Sequence, residues 1–423
     1  MDTQTGAQAA PQRLNRKAFI FIILTTFLSS IGFGIITPVA PFLVTRYVTD
    51  PNSVGLALGW LTAAYSICQF IAAPGLGALS DRFGRKPILL FCMIGSAVGY
   101  LLLGVGGALW VLFLGRIIDG ITGANISVSL AYIADVTPAE ERGKYFGWVG
   151  ALAGIGFIIG PVIGGLVAKI SYEAPFYAAA VVTFLNVLYG IFFMPESLTP
   201  EKRTKQISLV GLNPLGVLRG VFAIPQLRWL LVGIFLFSLP FAVLQSNLGL
   251  FAKDTLHWDA DSTGVIFAMI GITDIVVQGL LLGRLLKWFG DTRVAIGGLC
   301  CEIIGYLLLA SVVLFQSPMP MFAGVIVFAL GDGLLGPSLN GLLSRAAGAD
   351  AQGQVQGGSQ AIQSLARIGG PLIGGDLYDR AGHAVPYLSG AGIVALAIGA
   401  IGLALPSLAK SQPIPETVPA GAD

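Results

Sequence analysis

Twelve apolar runs, separated by short polar breaks, are what most constrain this 423-residue chain. A helix of roughly 20 mostly apolar residues crosses the hydrocarbon core of a bilayer, because only internal hydrogen bonds can satisfy a backbone out of water. The runs cover 18–44, 54–80, 87–107, 109–134, 144–170 and 174–194, then 229–252, 262–284, 293–315, 319–344, 353–375 and 384–407. Charged residues make up only 11% of the chain, against about 25% in an ordinary soluble domain, so it lacks the charge to cover a water-facing surface. The first run is too long for a signal-peptide core and lacks a small-residue cleavage site, so it reads as a retained spanning helix. The expectation is an all-α membrane protein of twelve transmembrane helices in two pseudo-symmetric six-helix bundles.

The distribution of charge orients the chain. Of 24 Lys and Arg residues, all but Arg46, Lys169, Lys253, Arg380, Arg116 and Arg367 fall on the side that holds the N-terminus. Basic residues mark the cytoplasmic side of short loops, which places both termini there. The divisions follow: a cytoplasmic tail 1–17, bundles at 18–194 and 229–407, a linker 195–228 between them, and a second cytoplasmic tail 408–423. Within the linker, Asn213-Pro214 followed by apolar residues suggests a short interfacial helix.

The halves echo one another in order. Gly160-Pro161-Val162-Ile163-Gly164-Gly165 recurs as Gly370-Pro371-Leu372-Ile373-Gly374-Gly375. Asp119-Gly120-x-x-Gly123 recurs as Asp332-Gly333-x-x-Gly336, and the loop Gly77–Lys86 has a weaker echo at Gly283–Arg293. A duplicated unit is how many secondary transporters build two bundles that rock about a central site.

Gly77-Ala78-Leu79-Ser80-Asp81-Arg82-Phe83-Gly84-Arg85-Lys86 joins the second and third runs on the cytoplasmic side. Gly77 admits close helix approach and Gly84 a tight turn, while Asp81 can pair with the cations in a latch that breaks when the bundles move. This segment resembles the signature loop of the major facilitator superfamily, and with Ala73–Leu76 and Pro87 it is similar to that of the tetracycline/proton antiporter-like branch. Gly32–Pro41 and Gly115–Ala124 resemble that branch's first-span and fourth-span motifs. The run containing Gly154, Gly160, Pro161, Gly164 and Gly165 resembles the pattern associated with antiporters. His257-Trp258-Asp259-Ala260 matches an outer loop. The resemblance implies the major facilitator fold in a bacterial inner (plasma) membrane, a multi-pass monomer with a small-molecule substrate, protons as the coupled ion and no cofactor beyond the proton gradient. Where the pumps resembled carry acids in spans 1 and 3 and a histidine in span 8, this chain has Ser29, Gly99 and Asp274; the span 9 acid is kept as Glu302.

Arg116, Asp119, Asp274, Glu302, Asp332 and Arg367 fall inside spans, each at an insertion cost of roughly 2.5–3.5 kcal/mol at a helix centre. Arg116 and Asp119 share a helix face, three residues apart. Asp119, Glu302, Asp274 and Asp332 are candidates for proton coupling; each also has a structural reading as a fixed ion pair. Arg116 belongs with gating, as do Asp81, Arg82, Gly84, Arg85, Asp135 and Arg142. Arg367 either balances an acid or attracts an anionic substrate. Tyr65, Gln69, Asn125, Gln245, Asn247, Gln278, Asn340, Gln360 and Gln363 lie in spans that build the cavity in this superfamily; interhelical hydrogen bonding is the alternative for each. The expectation is a secondary transporter, by proton antiport an exporter of a small lipophilic or amphiphilic compound such as a drug. A proton symporter importing a sugar or metabolite is the alternative, and a non-transporting receptor a further one.

Other classes find no support. The cysteines (Cys68, Cys92, Cys300, Cys301) sit in apolar runs without metal-ligand spacing, so no metal site is expected. Both histidines, His257 and His383, fall at the outer ends of spans, away from any catalytic constellation. No phosphate-cradling loop is present, and the basic residues track the membrane surface rather than forming a nucleic-acid patch.

Overall fold

The computed structural model describes residues 16–137, 139–204, 228–346 and 352–410, with isolated positions between 216 and 227. The expected interfacial helix at 213–214, most of the N-terminal tail and the C-terminal tail from 411 lie outside the described residues. Those residues form helices and short connections: α1 Arg16–Val44, α2 Val54–Phe83, α3 Arg85–Val105, α4 Leu109–Ile121, α5 Asn125–Val136, α6 Ala139–Ala168 and α7 Ala174–Phe193. The second half comprises α8 Arg228–Leu256, α9 Ala260–Val276, α10 Leu282–Phe315, α11 Pro318–Ala346, α12 Gln352–Ala381 and α13 Val385–Lys410.

Among the described residues, ten stretches are long and apolar enough to cross a membrane. One runs from Ala260 to Phe315, and Gly290 at φ 74° breaks it into two crossings. α12 is 30 residues long but misses the hydropathy mark because it starts Gln352-Gly-Gln-Val-Gln-Gly-Gly-Ser-Gln. The architecture is thus consistent with twelve crossings. Large apolar side chains such as Trp110, Ile170, Phe192 and Leu314 are more than two-thirds exposed, as lipid-facing side chains are.

Local chemistry explains the breaks. Gly84 (φ 110°) separates α2 from α3, and Gly290 takes its place in the second half. Only a residue without a Cβ enters this region cheaply, so the weak sequence echo is also a conformational one. The fourth expected run is divided: Thr122, Gly123 and Ala124 interrupt it, with the Thr122 hydroxyl donating to the Ile118 carbonyl at 2.8 Å. The eighth contains a π-helical turn, Val277–Leu281, directly after α9. Such turns concentrate at functional positions because they re-aim the following side chains.

The halves meet in two matched clasps. A Cβ on Gly59 of α2 would sit 2.3 Å from the Pro371 carbonyl oxygen, and one on Gly375 would sit 2.3 Å from that of Gly55. Across the molecule, a Cβ on Gly264 of α9 would sit 2.7 Å from the Pro161 oxygen, and one on Gly165 would sit 2.7 Å from that of Ala260. Any larger residue would force these helices apart. Both clasps lie toward the ends Val54, Ala168, Ala260 and Ala381, here termed the far face; Phe83 and Arg85 mark the near face. The apolar core follows the same division. Its largest cluster joins both halves through far-side residues such as Val39, Leu43, Leu58, Leu248 and Phe251. Nearer the other face, Phe21, Leu89, Met93 and Tyr132 form a core of the first half, and Val277, Val294 and Leu334 a small one of the second.

Candidate functional site

Beneath the clasps the halves part around a cavity of about 540 Å³. Its wall contains Tyr65, Gln69, Asp119, Asn125 and Gly154 from the first half and Gln245, Asp332, Gln363 and Arg367 from the second. On α6, a Cβ at Gly147, Gly150 or Gly154 would meet nothing within 4 Å, whereas one at Gly156, Gly160 or Gly164 would press on α1. One face of α6 thus packs tightly on α1, and the face carrying Gly154 is left open to the cavity. A smaller recess beneath the far clasp is lined by Arg116, Arg367, Gln245 and Pro371.

The first half presents a paired charge. The Arg116 guanidinium lies 3.6 Å from the Asp119 carboxylate, 3.5 Å from the Leu61 carbonyl and 4.3 Å from the centroid of the Tyr65 ring. Both ions are nearly buried, with 4% and 6% of their side-chain surface exposed. The i, i+3 spacing of α4 brings them together, and cation–π contact with Tyr65 adds to the neutralisation. Gln69 donates to the Gly123 carbonyl at 2.8 Å and to the Tyr65 hydroxyl at 3.0 Å; Asn125 donates to the Ser29 hydroxyl at 3.3 Å.

The second half presents acids with no cation. A Cβ on Gly331 would sit 3.0 Å from Glu302 Cγ, and one on Gly333 would sit 3.2 Å from an Asp274 carboxylate oxygen. The glycines flanking Asp332 thus let α10 and α9 bring their acids up on either side of it. Glu302 is fully buried with both carboxylate oxygens lacking a hydrogen bond, and Asp274 Oδ1 is likewise unpartnered. None of the three forms an ion pair among the described residues. An unpaired carboxylate in such a place costs several kcal/mol, so each needs either a cation or a proton to sit there.

Of the second-half acids expected to couple protons, Asp332 stands on the wall, and Glu302 and Asp274 lie behind it. Several expected cavity residues stand elsewhere. Asn247 is fully buried, accepting a hydrogen bond from the Ser246 hydroxyl at 3.2 Å. Gln278 sits on the π turn and is exposed, because the extra residue in that turn rotates it outward. Asn340 and Gln360 are exposed nearer the ends of α11 and α12, outside the cavity wall. Conversely, beyond Tyr65 the aromatic part of the wall went unpredicted: Phe157, Phe237 and Phe241 line it, with Tyr100 and five serines. Phe237 and Phe241 are four apart on α8, a spacing that also suits a lipid-facing stripe.

At the near face, Arg85 organises the charged loop Gly77–Lys86 within the first half. It pairs with Asp81 at 2.5 Å and Asp135 at 3.0 Å and donates to the Ser80 hydroxyl at 2.7 Å. Glu196, which no sequence pattern singled out, accepts the Arg85 and Lys86 backbone N–H groups at 2.8 and 3.2 Å, capping α3 where the helix dipole favours an anion. Arg142 donates to the Thr137 carbonyl at 3.3 Å rather than to an acid, and Arg82 lies over the Phe83 ring. A Cβ on Gly77 would meet nothing within 4 Å, so the close approach expected there is not used in this conformation.

Known proteins with this arrangement are transporters. The family model of the Major Facilitator Superfamily matches residues 22–371. The tetracycline resistance protein, class C, of Escherichia coli is 38% identical over 359 residues, covering 85% of this chain and 89% of that protein. The class H protein of Pasteurella multocida is 35% identical, covering 88% and 91%, and multidrug resistance protein 2 of Bacillus subtilis is 30% identical, covering 91% and 95%. Among solved structures, the inward-facing, unoccupied bacterial homologue of the lysosomal transporter Spinster superposes with TM-score 0.73 at 15% identity, covering 94% of this chain and 98% of that one. The chain belongs to the major facilitator superfamily and is a membrane transporter, not an enzyme.

Proposed function

We propose that the protein exports a small lipophilic or amphiphilic compound, such as a drug, in exchange for protons by alternating access. Kinship with proteins named for tetracycline and multidrug resistance supports the substrate type. One observation carries the coupling: an amphipathic cavity, shut at the far face, with three acids on one side that have no cation. Such acids can take up a proton when substrate leaves and give it up when substrate returns. With the near face cytoplasmic, a reading the distribution of basic residues supports, the conformation described is the one that loads substrate from inside.

The bundles, residues 18–194 and 229–407, then rock. The clasps open at the far face, and Asp81 and Arg85 bear on the second half as the near face closes. Proton influx supplies about 2.3 kcal/mol per charge per 100 mV, enough to sustain a severalfold gradient of a neutral compound. The protein works as a monomer in the bacterial inner membrane, with no cofactor but the gradient. Everted membrane vesicles test the reading with radiolabelled tetracycline and a panel of lipophilic drugs. Accumulation on acidifying the vesicle interior, abolished by an uncoupler, is expected. Loss of a preloaded solute from the lumen on the same acidification would instead establish a proton-coupled importer.

A further inference from the structure

Among the described residues, Arg367 is a cavity cation that no acid neutralises. It lines both the main cavity and the recess under the far clasp, and among the described residues its hydrogen bond goes to the Ser364 hydroxyl on its own helix, at 3.1 Å. Arg116, which lines the recess with it, already has Asp119. Asp332 lines the same cavity, but among the described residues it forms no ion pair with Arg367. A guanidinium left without a carboxylate in a partly dry cavity is a strong site for a planar anionic oxygen group, which its fork of N–H donors can bind bidentately.

We propose that Arg367 determines substrate specificity by docking an anionic oxygen group, a carboxylate or enolate, on an otherwise aromatic compound. Phe157, Phe237, Phe241 and Tyr65 supply flat apolar contact for the rest of the molecule, and Gln245 and Gln363 add polar groups on the same wall. The position also links binding to movement. Arg367 lies one helical turn before Pro371, whose carbonyl forms the clasp with Gly59. An anion drawn up to Arg367 therefore fills the recess directly under the contact that must open. The inference rests on the cavity being the substrate site, as in the proposed function, but not on the direction or the coupling of transport.

The test uses the full-length protein purified in detergent and three fluorescent probes on one ring system: 9-anthracenecarboxylate, its neutral methyl ester and cationic 9-(aminomethyl)anthracene. Fluorescence titration of the wild type should show the carboxylate binding about tenfold or more tightly than the ester or the amine, the worth of a charge-assisted hydrogen bond. In Arg367→Gln the carboxylate should fall to the level of the ester, while Arg367→Lys, which keeps the charge but not the fork, should lie between. Thermal unfolding of both variants separates lost binding from lost structure, and the ester comparison on the wild type stands even where a variant does not fold. Equal or tighter binding of the amine, no binding of any probe, or a folded Arg367→Gln that keeps its preference overturns the proposal. Preference for the carboxylate without proton-driven accumulation in vesicles overturns the export reading instead; accumulation without the preference overturns this one alone.

Discussion

The two halves carry the same motif around Asp119 and Asp332 but surround it with opposite electrostatics. In the first half, Gly99 packs against Asp119, where a Cβ would sit 2.8 Å from the aspartate's own, and the acid turns to Arg116. In the second half, Gly331 packs against Glu302 instead, and Asp274 closes in from the other side. Duplication preserved the helix crossing, whereas substitution at the crossing decided whether a buried acid meets a glycine or another acid. One half holds a neutralised pair and the other a cluster of acids without a cation among the described residues. Buried pairs resist removal of one partner, while unpaired acids are relieved by neutralisation. The halves should therefore respond oppositely to equivalent changes.

The strongest way to break the contrast is to neutralise the second cluster as a whole. Asp274→Asn, Glu302→Gln and Asp332→Asn combined should abolish uncoupler-sensitive accumulation in everted vesicles while leaving the melting temperature equal or higher. Retained gradient-driven transport would show that the proton is carried elsewhere. Next, Asp119→Asn leaves Arg116 buried without its carboxylate and should destabilise the protein by about 3–5 kcal/mol, read as a lower melting temperature in detergent. Adding Arg116→Gln should recover most of that loss; if Asp119→Asn melts with the wild type, the pair is not what holds Arg116.

Two smaller effects sharpen the comparison at the faces. Asp81→Ala should leave expression intact and slow transport severalfold, because Arg85 keeps Asp135 in the conformation described and the loss falls on the other one; full transport would remove Asp81 from the latch. At the far face the clasps differ in chemistry although their glycines match. Asp379 accepts the Gly55 and Leu56 backbone N–H groups at 2.9 and 2.7 Å, capping α2, whereas the repeat-equivalent Lys169 pairs with Asp261 at 2.6 Å and is 60% exposed. Losing a cap costs about 1 kcal/mol, and an exposed ion pair is worth about 0–1 kcal/mol. Asp379→Ala should therefore raise maleimide labelling of a cysteine introduced at the far mouth of the cavity more than Lys169→Ala does. The reverse order would make the exposed pair the stronger clasp.

Much of this was legible beforehand. Run lengths located the helices to within a few residues, because a bilayer admits little else; the misses came where a local feature interrupts a run, at Thr122–Ala124 and at the π turn. The GPxxGG repeats marked helix crossings because only glycine lets backbones approach so closely, and Gly165 and Gly375 do just that. Glu196 escaped notice because a carboxylate capping a helix more than a hundred residues away leaves no periodic trace.

Sequence alone determined the depth at which each charged residue sits, since rise per residue converts position into distance along the membrane normal. It also determined that the chain is a duplicated two-bundle transporter. Only the tertiary structure decided which way each buried charge faces. Rotation about a helix axis and the choice of neighbour depend on helices far apart in the chain, so Arg116 found an acid, Arg367 found none, and Glu302 came to rest behind Asp332 instead of on the cavity wall.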